Sequence, residues 1–391
     1  MILQKLSTPK NLVIVLSICL LFSHCKKDIT STAGSSISEV ALSLPVNTYN
    51  YSHLALPAYL LSSVIQGQIN IANGNTVTDN GATLGRVLFY EKNLSKTQTI
   101  SCGSCHQQSN AFSDTIVLSK GFAGGLTARN TMTLMNTAYY PDGKYFWDER
   151  ANTLEIQVLA PVQNVVEMGM TLDSMVSRLQ HLSYYPSLFT KAFGDPTITS
   201  DRVSLALAQF LRSIVSYQSK FDIGRQSLAT PAPPLDQVAF ANFTAKENRG
   251  KQLFFSPQLA NCAACHGTET FTATKPQNNG LDLVSADQGV GGITGLPQQI
   301  GNFKVPSLKN IALTAPYMHD GRFTSLDQVV EHYSTGIQAN RNLSGPLRNP
   351  DGTPRLLNLS ADDKAALVAF LNTLTDTNIT GDIKYSDPFV K

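Results

Sequence analysis

A chain of 391 residues with 42% hydrophobic and 15% charged side chains carries enough apolar material for a sizeable core, in one large domain or two. A formal charge of only +2 leaves no basic surplus to hold a polyanion, so nucleic acid is excluded as a partner. Two of the positive charges, Lys5 and Lys10, fall in residues 1–24, which hold no acid, so the remainder is close to neutral.

Lys5 and Lys10 precede an apolar run from Leu12 to Phe22. The run is too short to span a bilayer comfortably and is placed as the hydrophobic region of an export signal. It ends in Leu21-Phe22-Ser23-His24-Cys25, which resembles a bacterial lipoprotein signal. Residues 1–24 are then the signal, and Cys25 the lipidated first mature residue, giving membrane contact through a lipid anchor. His24 departs from the small residue usual before that cysteine, which leaves ordinary secretion or a retained anchor as alternatives. Export places the protein in the bacterial cell envelope, on the periplasmic side.

Residues 25–50 are rich in Ser and Thr without helical periodicity and read as a flexible tether. Leu54 to Gln66 predicts a short helix. Gly85-Arg86-Val87-Leu88-Phe89-Tyr90 reads as the end of another, and leads to Cys102-Gly-Ser-Cys105-His106 and then Ala111-Phe112-Ser113. The same order returns later: Gly250-Lys251-Gln252-Leu253-Phe254-Phe255, then Cys262-Ala-Ala-Cys265-His266, then Thr270-Phe271-Thr272. This is an internal repeat. Thr244 and Glu247 form a capping-box pattern that opens the second copy's helix. Between the copies, Val203, Leu207, Phe210, Leu211 and Ile214 recur at helical spacing and predict a helix over 200–217. Further helices are predicted over 325–333 and 360–374, the latter with an acidic first turn.

Cys-x-x-Cys-His is the attachment signature of c-type haem: two thiols hold the macrocycle and the histidine ligates iron. A single copy leaves a redox dithiol or half of a zinc site as the lesser alternative. Two copies, each ending in histidine, point to two covalently bound haem c, on Cys102, Cys105 and His106 and on Cys262, Cys265 and His266. With Cys19 in the signal and Cys25 lipidated, no cysteine remains for a disulfide. Ala229-Thr-Pro-Ala-Pro-Pro234 is the clearest linker. The expected fold is therefore mostly α, with two cytochrome c-like haem domains, 51–228 and 235–391, joined at 229–234 and packed around an interdomain interface.

Further motifs lie between and after the haem signatures: Phe146-Trp147-Asp148-Glu149-Arg150-Ala151, Gln157 with Pro161, Val166-Glu167-Met168, and Thr314-Ala315-Pro316-Tyr317-Met318-His319-Asp320-Gly321. Taken alone, a single tryptophan is more often core, and a lone Gln or Glu more often solvated. In this order, the set resembles the bacterial dihaem cytochrome c peroxidase and MauG family from about residue 81 to 375. The resemblance implies that Trp147 lies between the haems and carries electrons or holes. It implies that Gln157 and Glu167 line the distal pocket of the first haem, Glu167 moving a proton between the peroxide oxygens. Asn130 matches a calcium-binding asparagine, with carbonyls near Val305 and Ser307 completing the site. Arg129 and Arg150 are candidates for haem propionates or plain salt bridges.

Two positions depart from the family's peroxidases. Residues 107–146 hold no histidine to block the first iron, and Phe122 stands near that place. At the second haem, Tyr333 falls where a methionine ligand is usual, as in MauG-like members; Met318 and His332 are its rivals. The implied activity is reduction of hydrogen peroxide to water, with a small c-type cytochrome or copper protein as electron donor. A MauG-like oxidase acting on a protein or small molecule is the alternative, and a non-enzymatic dihaem electron carrier the third reading. The resemblance also implies a homodimer.

Overall fold

The computed structural model describes residues 40–229 and 232–390. The export signal, Cys25 and the tether up to residue 39 lie outside the described residues, as do Thr230 and Pro231 of the linker. Among the described residues, only isolated backbone pairs take the place of strands, and the fold is mostly α. The helices that position the site are α1 (Asp79–Tyr90), α2 (Leu154–Gln163), α3 (Ser200–Ser213), α4 (Ala245–Phe255), α5 (Leu326–Glu331) and α6 (Ala361–Asn372). Each begins at a hydroxyl. Thr78, Thr153, Thr199, Thr244, Ser325 and Ser360 accept a first-turn backbone N–H at 3.0–3.3 Å. Such a cap is worth ~1 kcal/mol. At α4, Glu247 returns the bond to the Thr244 N–H at 2.6 Å, completing the capping box.

The repeat seen in the sequence is also a repeat in space. α1 packs on α3, and α4 packs on α6. At each crossing a glycine lets the backbones meet. A Cβ on Gly85 would lie 2.0 Å from the Ala206 carbonyl oxygen, and one on Gly250 1.9 Å from that of Ala366. An aromatic trio closes each crossing. Phe89 stands 6.0 Å from Phe112 and 5.3 Å from Phe210 between ring centroids, while Phe254 stands 5.7 Å from Phe271 and 5.1 Å from Phe370. These rings are all essentially buried, and truncating one to alanine costs roughly 3–5 kcal/mol.

Two main hydrophobic cores result, one built mainly from residues 51–214 and one from 221–374, with a smaller cluster around Tyr59, Leu60 and Tyr139. The C-terminal segment crosses back to the first: Tyr385 is buried there and donates to the Ser213 carbonyl at 2.7 Å. Residues 40–50, at the end of the expected tether, dock beside it, with Leu42 paired to Phe389 and Leu44 against the first core.

The helix predicted over 200–217 stops at Ser213. Asn136 Oδ1 accepts from the Ser216 N–H at 2.8 Å, and Asp376 Oδ2 from those of Tyr217 and Gln218 at 3.2 and 3.1 Å. These side chains take donors that a longer helix would have used. The helix predicted over 54–66 resolves into a single turn at Ala58–Leu61 and a short helix at Ser63–Gln66, split by an extended Ser62 that caps the second. α5 ends two residues early in a wider, π-type turn at His332–Gly336.

Candidate functional site

Each Cys-x-x-Cys-His stretch follows its glycine-bearing helix and leads into a phenylalanine with unusual backbone geometry. Phe112 and Phe271 have φ of 56° and 57°, a left-handed conformation that costs energy in a non-glycine residue. It turns each carbonyl toward the preceding histidine. His106 Nδ1 lies 3.0 Å from Phe112 O, and His266 Nδ1 lies 3.0 Å from Phe271 O. A carbonyl can only accept, so Nδ1 carries the proton and Nε2 keeps its lone pair for a metal. Burial lowers the pKa of His106 and takes that of His266 to about 4, which keeps both rings neutral.

The four cysteines form no disulfide. Burial pushes the Cys102 and Cys262 thiols up to about 12 and that of Cys105 to about 11, unlike the low-pKa thiolate of a redox dithiol. Among the described residues, no three His, Cys, Asp or Glu side chains gather as a metal-ligating set.

A cavity opens beside each motif. His106, Gln157 and Glu167 line the first, with Cys102 and Cys105 in its adjoining lobe. Gln157 sits on α2. Glu167 sits in the loop after it, where Asn164 Oδ1 accepts from the Val166 and Glu167 N–H groups at 2.8 and 3.2 Å, and Pro161 O accepts from Met168 N at 3.2 Å. Burial raises the Glu167 carboxyl above the usual range, and Arg150 opposes part of that rise. Phe122 lines neither lobe; its backbone N–H donates to Glu167 O at 2.8 Å, which braces the loop.

The second cavity is lined by Cys262, Cys265, His266, Met318 and Tyr333. Of the rivals to Tyr333, His332 turns away and its Nε2 meets Asn279 O at 3.0 Å. Met318 remains, but Asn279 Nδ2 donates to its sulfur at 3.5 Å. The Asn279 side chain also bonds the Tyr333 phenol, which burial pushes up to about 12.

Trp147 lines both cavities. Its indole N–H donates to Asn130 O at 2.8 Å, and its own carbonyl accepts from Lys304 N at 2.8 Å. Asn130 N donates in turn to His319 O at 2.8 Å, and the His319 ring stacks on Phe303 at 3.9 Å. Arg129 forks onto Asp287 at 2.7 and 2.8 Å while also reaching Asp148 at 2.6 Å, and Arg150 holds the other oxygen of Asp148 at 2.8 Å. Both arginines thus make salt bridges. At the position expected for calcium, the hydrogen bonds engage the amide nitrogen of Asn130 and not its Oδ1. Asn130 Nδ2 donates to the carbonyls of Ile116 and Val117, and Val305 O already accepts from Thr272 Oγ1 at 2.6 Å.

Residues 79–227 and 244–377 match the family described as di-haem cytochrome c peroxidase. The chain belongs to that family. It is 34% identical over 304 residues to the methylamine utilization protein MauG of Methylophilus methylotrophus, covering 77% of this chain and 84% of the relative. It is 32% identical over 298 residues to the cytochrome c551 peroxidase of Nitrosomonas europaea, covering 75% and 79%. Among solved structures, a MauG-like protein associated with microbial copper homeostasis superposes with a TM-score of 0.73 at 31% identity, covering 86% of this chain and 99% of that one. The family's cofactor is haem c, two per chain. The donor chemistry fits it twice: a pair of unpaired thiols and a neutral histidine whose Nδ1 is held by a backbone carbonyl stand at the edge of each cavity.

Sequence reasoning did not reach Asn279, Lys304 or Tyr140. They lie outside any motif, and only folding brings them to the cavity walls.

Proposed function

We propose that the protein is a dihaem peroxidase that reduces hydrogen peroxide to water at the first cavity, drawing electrons through the second. In this reading Cys102, Cys105 and His106 hold the first haem, and Cys262, Cys265 and His266 the second. Bound iron in the first cavity supplies the site where peroxide binds and receives electrons. The chain's side chains do the rest. Glu167 takes the proton from the near peroxide oxygen and delivers it to the far one, so that the leaving group departs as water. Gln157 orients the peroxide beside it, and Arg150 offsets the carboxylate's charge. Trp147, lining both cavities, bridges the electron path.

The observation that carries this reading is the meeting of Glu167 and Gln157 with His106 in one cavity, where an electron carrier needs no acid–base group. The test is stopped-flow mixing of the all-ferric protein with hydrogen peroxide. A fast Soret change supports the peroxidase; no reaction in either the ferric or the half-reduced state favours the electron carrier.

Tyr333 at the second cavity favours a second reading, a MauG-like oxidase that takes electrons from a protein or small molecule. Steady-state assays separate the two. A peroxidase oxidises a reduced small c-type cytochrome or copper protein stoichiometrically with peroxide, whereas the oxidase leaves a modified target.

The proposal keeps two haem domains joined at 229–234, with the segment after residue 376 packed on the first. It places the protein on the periplasmic side of the envelope, held by lipid on Cys25. Loss of detergent-phase partitioning in Cys25→Ser checks the anchor; full retention would refute it. Among the described residues, no helix is long and apolar enough to cross a membrane. The implied homodimer is checked by sedimentation. The proposal keeps a calcium ion at Asn130 Oδ1, with carbonyls near Val305 and Ser307; loss of bound calcium in Asn130→Ala checks it.

A further inference from the structure

Behind the first cavity's wall, in contact with Tyr140 that lines it, Glu149 is an anomaly. Its φ is +56°, a region where glycine is favoured and a charged side chain is seldom placed. It is nevertheless buried, at 5% exposure.

What it does is visible in its contact. The Tyr140 hydroxyl donates to Glu149 Oε1 in a short, buried hydrogen bond. Tyr140 is itself buried and lines the first cavity with His106, Gln157 and Glu167. The Lys304 side-chain nitrogen stands 2.8 Å from the Tyr140 ring centroid and donates to Lys144 O at 3.0 Å, which pins the ring in place. A phenol lined up on a carboxylate acceptor, beside a centre that peroxide oxidises, is the arrangement that lets a tyrosine give up an electron and a proton together. Neither the peroxide proton transfer nor the electron path through Trp147 uses this pair.

We propose that Tyr140 and Glu149 form a proton-coupled redox site that stores one oxidising equivalent next to the first haem. The phenolic O–H bond of Tyr140 breaks. Its electron goes to the peroxide-oxidised centre, its proton goes to Glu149 Oε1, and a neutral tyrosyl radical remains. An electron from the donor protein, with return of the same proton from Glu149, restores the phenol. Peroxide is the oxidant, so the inference rests on the peroxidase reading. Burial of Glu149, which raises its carboxyl above the usual range, favours its taking up that proton.

The test is rapid freeze-quench EPR of the haem-loaded protein after hydrogen peroxide is added without a donor. The protein is prepared with ordinary or ring-deuterated tyrosine. An organic radical whose hyperfine pattern narrows on ring deuteration is expected. It should be absent in Tyr140→Phe and reduced at least tenfold in Glu149→Gln. Glu149→Gly removes the carboxylate and the backbone strain together. It should lose the radical while its Soret response to peroxide stays that of the parent protein, which separates loss of the redox pair from loss of fold. A tyrosyl signal that survives in Tyr140→Phe, a radical insensitive to tyrosine deuteration, or no organic radical beside a normal Soret response overturns the inference. Absence of any Soret response to peroxide overturns the peroxidase reading instead.

Discussion

A Cβ on Gly250 would stand 1.9 Å from the carbonyl oxygen of Ala366, closer than carbon and oxygen can approach without a bond. Alanine in a helix normally stabilises by about 1 kcal/mol relative to glycine. Here the sign reverses, because α4 and α6 must move apart and loosen the rings of Phe254 and Phe370. Gly250→Ala is expected to lower stability by about 1–3 kcal/mol or more, and Gly85→Ala to do the same through Ala206. Gly345→Ala, where nothing stands within 4 Å, should change stability by no more than about 0.5 kcal/mol. Thermal unfolding of the haem-loaded protein checks all three; a neutral Gly250→Ala would mean that the crossing is looser than described.

Glu167 is the group whose ionisation should govern turnover. It must be ionised to take the first peroxide proton, and burial raises its carboxyl above the usual range. The rate of peroxide reaction should therefore rise with pH through a midpoint higher than that of an ordinary glutamate. Glu167→Gln should lose ~10²–10⁴-fold in that rate and lose the pH-dependent limb with it. Peroxide stopped-flow across pH reads both; an unchanged limb in the variant would assign it to another group.

The frame was legible because the repeat is local. Each copy is a helix, a pentapeptide and an aromatic within about thirty residues, and the capping hydroxyls mark where the helices begin. Long-range terms were not legible. Nothing near Ile214 announces that Asn136 and Asp376 will take the next backbone donors and end α3. Nothing in Leu42 announces its pairing with Phe389. At the site, the motifs named the groups that face the cavities, while Asn279, which steers Met318, Tyr333 and His332 apart, has no signature of its own. Glu149 lies within a recognised motif, yet its strain is a backbone property that residue type does not encode.

The first iron should be open without prior reduction. Residues 107–146 hold no histidine, among the described residues His106 is the only histidine along either lobe of the first cavity, and Phe122 is turned to the Glu167 loop. The all-ferric protein should show a high-spin component in its EPR spectrum, and peroxide should react without an electron being added first. A spectrum that is low-spin only would show a protein ligand on both faces of the first iron and restore a gated peroxidase.

At the second haem the choice among Tyr333, Met318 and His332 becomes a comparison of where each donor atom is held. His332 is not among the residues lining the cavity, and its Nε2 is engaged by Asn279 O. The Met318 sulfur is held by Asn279 Nδ2. The Tyr333 phenol lines the cavity with His266 and shares that same amide. Burial pushes the Tyr333 phenol up to about 12; were it to hold ferric iron it would do so as phenolate, a donor that would favour ferric over ferrous iron. Tyr333→Phe should therefore change the second haem's spectrum and raise its potential, whereas His332→Gln should leave the ligand field as it was. Redox titration followed at the Soret band reads both variants. An unchanged spectrum in Tyr333→Phe, together with a changed one in Met318→Leu, would move the ligand to Met318 and remove the main support for the oxidase reading.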